Sequence, residues 1–159
     1  TQVGSEEIPA MKRTTTDKNT IESIIRSASV CRIAFSDDGR PYVVPVCFGY
    51  QDDTLYFHSA PRGRKLEILG RNDAVCCEFD VDQEIVRGED ACAWDMRYRS
   101  VVGFGKASLV EDPVEKKRAL DLIVAHYGGE PRAYPEATLI KTTVVKVEIE
   151  HVTGKISGY

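Results

Sequence analysis

Hydrophobic and polar positions alternate with a period of two over several short runs, separated by clusters of Asp, Gly and Pro, a pattern that predicts strands joined by tight turns. Val30 to Phe35 and Tyr42 to Tyr50 flank Asp37-Asp38-Gly39 and read as one hairpin; after Gln51-Asp52-Asp53, Thr54 to His58 follows as a third strand. Ala74 to Val81 places Val75, Cys77, Phe79 and Val81 on one face and Glu78 and Asp80 on the other. A loop from Cys92, a long strand from about Tyr98 to Val110, and an alternating run from Thr143 to Val152 complete the set, with His151 in phase with Val145, Val147 and Ile149.

Three stretches carry the helical period. Asn19 and Glu22 form a capping-box-like start, with Ile21, Ile24, Ile25 and Ala28 on one stripe, which predicts a helix over 20–28. Asp112 as N-cap, Pro113 at the first helical position and Glu115 at the third open a second helix. It carries Ala119, Leu122, Ile123 and His126 on one stripe and ends before Gly128-Gly129. The third follows the Ser59-Ala60-Pro61 turn, starting at Arg62, with Leu66 and Leu69 three apart. About six strands linked mostly by hairpins, with helices packed outside, predict an α+β fold built as a six-stranded antiparallel barrel with flanking helices. Residues 1–13 are polar and patternless and read as a mobile leader before a single domain over 14–159.

The 159 residues are 42% hydrophobic and 29% charged, with net charge −4, which suits one domain with a core large enough to shelter part of a cofactor. An acidic chain gains nothing electrostatically from nucleic acid or anionic lipid, and no apolar run reaches membrane-spanning length. Five cysteines, at 31, 47, 76, 77 and 92, are odd in number and form no C-x-x-C pair. Reduced thiols in a cytoplasmic protein are therefore expected, with neither disulfide framework nor metal site.

Charge is misplaced in one segment. Arg62, Arg64 and Lys65 crowd the first turn of a helix whose free N–H groups prefer acids by about 0.3–1 kcal/mol each. A bound phosphate, met by those N–H groups, the Ser59 hydroxyl and the cations, would explain it. A solvated basic turn screened by salt would explain it equally.

Pro45 interrupts a strong strand and makes it an edge, or irregular, there. Backbone groups of Val44, Val46 and Cys47 are then free to meet a planar heterocycle, unless the proline only guards against aggregation. In Cys92 to Gly105, Trp94 and Tyr98 supply aromatic surface, Arg97 and Arg99 share one strand face, and Ser100 lies on the other. Gly103 and Gly105 lack side chains on the arginine face, which permits close approach of a second backbone or a ligand. Core packing for the tryptophan and surface ion pairs for the arginines are the plainer readings. Of the three histidines, His126 is accounted for by a helix C-terminus and His151 by a strand end. His58 directly precedes the basic turn and is the one candidate to hydrogen-bond a cofactor ring or donate a proton near pH 7, with a simply packed histidine the equally weighted plainer reading. Because no nucleophile motif, Walker loop or Rossmann fingerprint occurs, a cofactor would have to supply the reactivity.

Taken together, G-R-P-Y-V-V-P-V-C-F-G-Y, L-Y-F-H-S-A-P-R-G-R-K-L-E, W-D-M-R-Y-R-S-V-V-G-F-G-K-A and H-V-T-G-K resemble the FMN-binding split-barrel superfamily. The likeness is to the pyridoxamine 5′-phosphate oxidase-like group, nitroimidazole-resistance branch, over about Ile21 to Gly158. It implies a homodimer with FMN, or FAD, in two clefts at the subunit interface. The backbone from Val44 through Pro45 and Val46 to Cys47 would run beside the isoalloxazine. His58 and Ser59 would line the ribityl and phosphate path, Arg64 and Lys65 would hold the phosphate, and Trp94, Arg99 and Ser100 would come partly from the other subunit. The implied activity passes electrons from NADH or NADPH through the flavin to a small oxidised substrate such as a nitroaromatic or quinone. Haem binding or breakdown, with His58, His126 or His151 as axial ligand, and a non-catalytic flavin carrier or sensor are the other roles the barrel serves. The C-terminal substrate-binding segment of the pyridoxamine phosphate oxidases is not recognisable.

Overall fold

Two tight hairpins set the register of the first half of the chain. The computed structural model describes residues 11–159, in the order β1 (Lys12–Thr15), α1 (Lys18–Ser27), β2 (Cys31–Asp37), β3 (Arg40–Val46), β4 (Gly49–Gln51), β5 (Thr54–Ser59), α2 (Arg64–Leu69), β6 (Ala74–Val86), a 3-10 turn (Ala91–Ala93), β7 (Asp95–Leu109), α3 (Pro113–His126), α4 (Glu136–Lys141) and β8 (Thr143–Ser157). Asp38 and Gly39 both have positive φ, as do Asp52 and Asp53. Such two-residue loops carry the twist of the strands they join, and Asp tolerates the left-handed region better than most residues. They fix Asp37 opposite Arg40 and Gln51 opposite Thr54.

Every strand pairing is antiparallel, in the path β3-β2-β6-β7-β8-β5-β4, with β1 added to the end of β8. The fold is α+β as expected, but the described residues form eight strands, not six. The expected strand Tyr42 to Tyr50 is two, broken where Phe48 turns into the core and is fully buried. Lys12 and Arg13, expected in a leader, pair with Ser157 and Ile156; the rest of that leader, residues 1–10, lies outside the described residues. The two ends of the path share one core. Ile33 and Phe35 of β2 join Leu55 and Phe57 of β5, Val75, Cys77 and Phe79 of β6, and Val145 and Val147 of β8, with Val44 of β3 and Tyr50 of β4 packed against them. A sheet whose two ends pack on the same residues must curl around them, and it stays open between β3 and β4.

Helix α1 closes the core with Ile21, Ile24 and Ile25; its N-cap is Asp17, whose Oδ2 accepts from the Thr20 N–H at 2.9 Å, not Asn19. Helix α3 begins as its sequence requires, with the Asp112 carboxylate accepting from Glu115 N–H at 2.9 Å. It covers the outer face of β5 and β8 through Ala119, Leu120 and Ile123 against Tyr56 and Val144. Gly49 makes room for it, because a Cβ there would lie 2.7 Å from the Ile123 nitrogen. Helix α4 has no counterpart in the sequence pattern.

Candidate functional site

Alternation fixes which backbone groups of β3 are free. Asp37 and Arg40 close a two-residue hairpin, so Tyr42, Val44 and Val46 exchange hydrogen bonds with β2, and Pro41, Val43 and Pro45 face the open edge. The prolines sit at the positions where a missing N–H costs nothing. Pro45 therefore marks an edge strand, as expected, but the free groups are not those of Val44 and Val46: between Pro41 and Pro45 the one outward N–H belongs to Val43. Cys47, just past the strand, is exposed. The kink after it is held by Tyr127, whose hydroxyl accepts from the Phe48 N–H at 3.2 Å and donates to the Ser29 carbonyl at 2.8 Å. Partial burial raises that phenol above its ordinary value and keeps it a donor.

Helix α2 begins at Arg64, two residues later than expected, after Gly63, whose φ of 149° only glycine adopts with ease. No side chain caps it, so its first N–H groups face outward together with Arg64 and the half-buried Lys65. Arg62 lies before the helix and is exposed. Arg64 donates to Asp37 Oδ2 at 2.9 Å and stands 5.9 Å from the centre of the Tyr42 ring, while Arg71 donates to Asp37 Oδ1 at 2.7 Å. These contacts tie α2 to the β2–β3 hairpin and hold the Asp37 carboxyl below its usual range, with Arg71 the largest cause. His58 is exposed at the end of β5, and Ser59, on the opposite strand face, donates to the Ala60 carbonyl at 3.0 Å. Among the described residues, neither the His58 ring nor the Lys65 amine has a hydrogen-bond partner.

The second group of expected residues lies elsewhere. Arg99 pairs with Asp82 and stacks on Tyr159, with its guanidinium carbon 4.1 Å from the ring centre. Ser100, on the outer face, lies opposite Asp80 and Lys155. Trp94 is 52% exposed, beside the outer end of the β6–β7 hairpin. Arg71 and Asn72, beside Asp37 and Ser36, lead into β6 at Ala74, whereas Arg99 stands opposite Val81. Seven residues of strand separate the two levels, roughly 23 Å. Within one chain, Arg64 and Lys65 are thus grouped with the Arg40 end of β3, whereas Arg99 and Ser100 lie near the level of its Val46 end but three strands away across the sheet.

His126 is committed: its Nε2 lies 2.7 Å from the Ala28 carbonyl, and its ring packs 4.2 Å from that of Phe48. The helix-dipole account is therefore incomplete. His151 is exposed despite its phase, because β8 bulges at Glu150 between the pairs Phe104–His151 and Gly105–Ile149. Sequence reasoning missed Asp37, Arg40, Tyr42, Arg71 and Tyr127. Only the basic turn signalled that something anionic was needed near them.

A family model described as pyridoxamine 5′-phosphate oxidase matches residues 17–156. The chain belongs to this family. Membership agrees with the gap between β3 and β4, the split of a split barrel. A solved structure of a candidate 5-nitroimidazole antibiotic resistance protein from Bacteroides thetaiotaomicron is 38% identical, covers 99% of this chain and 96% of its own, and superposes with a TM-score of 0.83. An FAD-binding protein from Mesorhizobium loti is 26% identical over 91% of this chain and 97% of its own, with a TM-score of 0.67. An FAD and haem binding protein from Mycobacterium smegmatis shares the fold at 20% identity, covering 92% of this chain and 74% of its own, with a TM-score of 0.79. No curated protein matches the sequence. Among the described residues no helix is long and apolar enough to cross a membrane.

Proposed function

We propose that this chain binds FMN, with FAD as the alternative flavin, and acts as a homodimeric oxidoreductase passing electrons from NADH or NADPH to a small oxidised substrate such as a nitroaromatic or quinone. The observation that carries the reading is the uncapped first turn of α2, where Arg64 and Lys65 stand beside the open edge of β3. A phosphate there would be met by two cations and free N–H groups. The fit extends along the edge, where the Val43 N–H is left by β2 to bond a heterocycle, with Cys47 beyond it. The Mesorhizobium loti relative, a flavin binder, supports the same reading, as does the resistance protein for a nitro substrate.

When bound, FMN would supply reversible two-electron chemistry at its ring. The residues of this chain would bind and orient. Arg64 and Lys65 hold the phosphate, Ser59 lines the path to it, and His58, exposed and without a partner, offers a proton to the reducible substrate. The roughly 23 Å between the Arg64 level and the Arg99 level gives the second subunit a task, because Trp94, Arg99 and Ser100 reach the same cleft only from a partner. An apolar row on the outer sheet face, Val43, Ala34, Cys76 and Phe104 in successive cross-strand pairs, suits that contact. All five cysteines are free thiols, which fits the cytoplasmic setting that belongs to this proposal.

Replacing Arg64 and Lys65 together by Ala should weaken FMN by at least about tenfold and leave riboflavin within about twofold, since only FMN carries the phosphate. Equal losses for both ligands, measured by flavin fluorescence, would remove the basic turn from the site. Spectra of the purified protein separate the other roles. A Soret band in place of flavin absorption would make it a haem protein, with His58 or His151 as the ligand because His126 is engaged with Ala28. Bound flavin that no nicotinamide bleaches anaerobically would make it a carrier or sensor.

A further inference from the structure

The tip of the β2–β3 hairpin and the start of α2 border an open cavity of about 300 Å3 lined by Asp37, Arg40, Pro41, Tyr42 and Arg64. Its charge is unbalanced toward the positive. Asp37 contributes the one carboxylate, and both of its oxygens are engaged, Oδ2 by Arg64 and Oδ1 by Arg71 from beyond the wall. Arg40 has no ion pair among the described residues and faces Asp37 across the hairpin. Tyr42 and Pro41 form an uncharged side, and the Tyr42 hydroxyl has no hydrogen-bond partner among the described residues. A second cavity, on the other side of Asp37, is lined by Ser36, Asp37, Asp38, Arg71 and Asn72. The extra acid makes that one unfit for an anion.

A guanidinium with no direct ion pair, near a carboxylate whose two oxygens are already taken by two others, leaves the first cavity attractive to a phosphoryl group. Arg64 belongs both to this cavity and to the seat proposed for the flavin phosphate. We infer that the cavity is a second phosphoryl subsite, in which Arg40 and the Tyr42 hydroxyl bind a phosphate held next to that of FMN. Two ligands present such a group: the adenylate phosphate of FAD, and the 2′-phosphate of a phosphorylated nicotinamide donor. The inference rests on the flavin reading for its location alone.

Flavin-free protein is titrated with FMN and FAD by flavin fluorescence, and FMN-loaded protein with 2′,5′-ADP and 5′-AMP by calorimetry, for wild type, Arg40→Ala and Arg40→Lys. Arg40 is exposed in the first position of an edge strand, and Arg40→Gln replaces the alanine variant should that one melt lower than wild type. The alanine variant should lose about tenfold for FAD or for 2′,5′-ADP, lysine should restore most of it, FMN should move less than about twofold, and 5′-AMP, which carries the adenylate phosphate of FAD, should fall with FAD and hold within about twofold where the loss is for 2′,5′-ADP. Loss for FAD assigns the subsite to a dinucleotide flavin; loss for 2′,5′-ADP assigns it to the donor. Unchanged affinity for both overturns the subsite, and an equal loss for FMN overturns it by making Arg40 part of the flavin-phosphate seat. If wild type binds no flavin, the flavin reading falls, and 2′,5′-ADP titrated into the protein as isolated still decides whether Arg40 holds a phosphate.

Discussion

Asp37 shows what one residue contributes and what a sequence conceals. Its carboxyl is held below the usual range by Arg71 first, then by Arg64 and Arg40. A carboxylate depressed in the folded state stabilises the fold above its unfolded value, near 4, and the contribution is lost as pH falls through the folded value. The melting temperatures of wild type and Asp37→Asn should therefore differ most above about pH 5 and converge as pH falls below about 4. A gap that stays constant down to pH 3 would mean that the ion pairs contribute nothing through ionisation. The partners are 27 and 34 residues away from Asp37, and no local pattern links them. Arg64 and Lys65 were legible because they violate a local rule, and Pro45 because its ring forbids a ladder bond. Asp37 and Arg71 obey every local rule, so only tertiary proximity brings them into view.

At the scale of elements, the α3 cap and the two hairpin turns were readable, whereas the α1 cap, the start of α2 and the interruptions were not. Asp112-Pro113 and Asp38-Gly39 state their geometry in two residues each. The bulge at Glu150 leaves no such mark, and the apolar alternation of β8 runs on through His151 although the strand has shifted phase. The compensating residue is on β7. A Cβ at Gly105 would lie 2.1 Å from the Glu148 carbonyl oxygen and 3.0 Å from the Ile149 Cα. Those are backbone atoms of the partner strand, which cannot move without breaking the ladder. Gly105→Ala should cost roughly 1–3 kcal/mol, seen as a lower urea midpoint with an unchanged slope. An unshifted midpoint would show that β7 and β8 separate there at little cost. The period-two reading of Gly105 as a place of close approach was right, and the approaching group is strand β8. Helix α4, six residues long and preceded by Pro135, which supplies no side-chain cap, is too short for periodicity to declare it.

The whole molecule was legible as a class because hairpin-linked strands with few helices leave only a small set of architectures. The strand count was not, since the Phe48 break and the β1 pairing depend on contacts far apart in sequence. Nor could the sequence show that the expected cofactor contacts fall at two levels of one barrel. That separation makes assembly testable on the outer face. Phe104 is 55% exposed and Val43 60%, and through Cys76 and Ala34 they lie in one cross-strand row. An apolar row on a sheet otherwise lined by Arg32, Glu78 and Asp80 suits a surface that is covered in use. If it is the contact between two copies, Phe104→Glu buries a charge against its own symmetry mate and should give monomers by light scattering at concentrations where wild type is a dimer. Flavin affinity should fall with it by at least about tenfold, because the variant leaves Arg64 and Lys65 untouched and removes only the partner's Trp94, Arg99 and Ser100. Ile140→Glu, at an exposed site on α4, should change neither. Phe104→Glu that remains dimeric with full flavin affinity would place the interface elsewhere, and monomers that keep full affinity would show that one chain holds the cofactor alone.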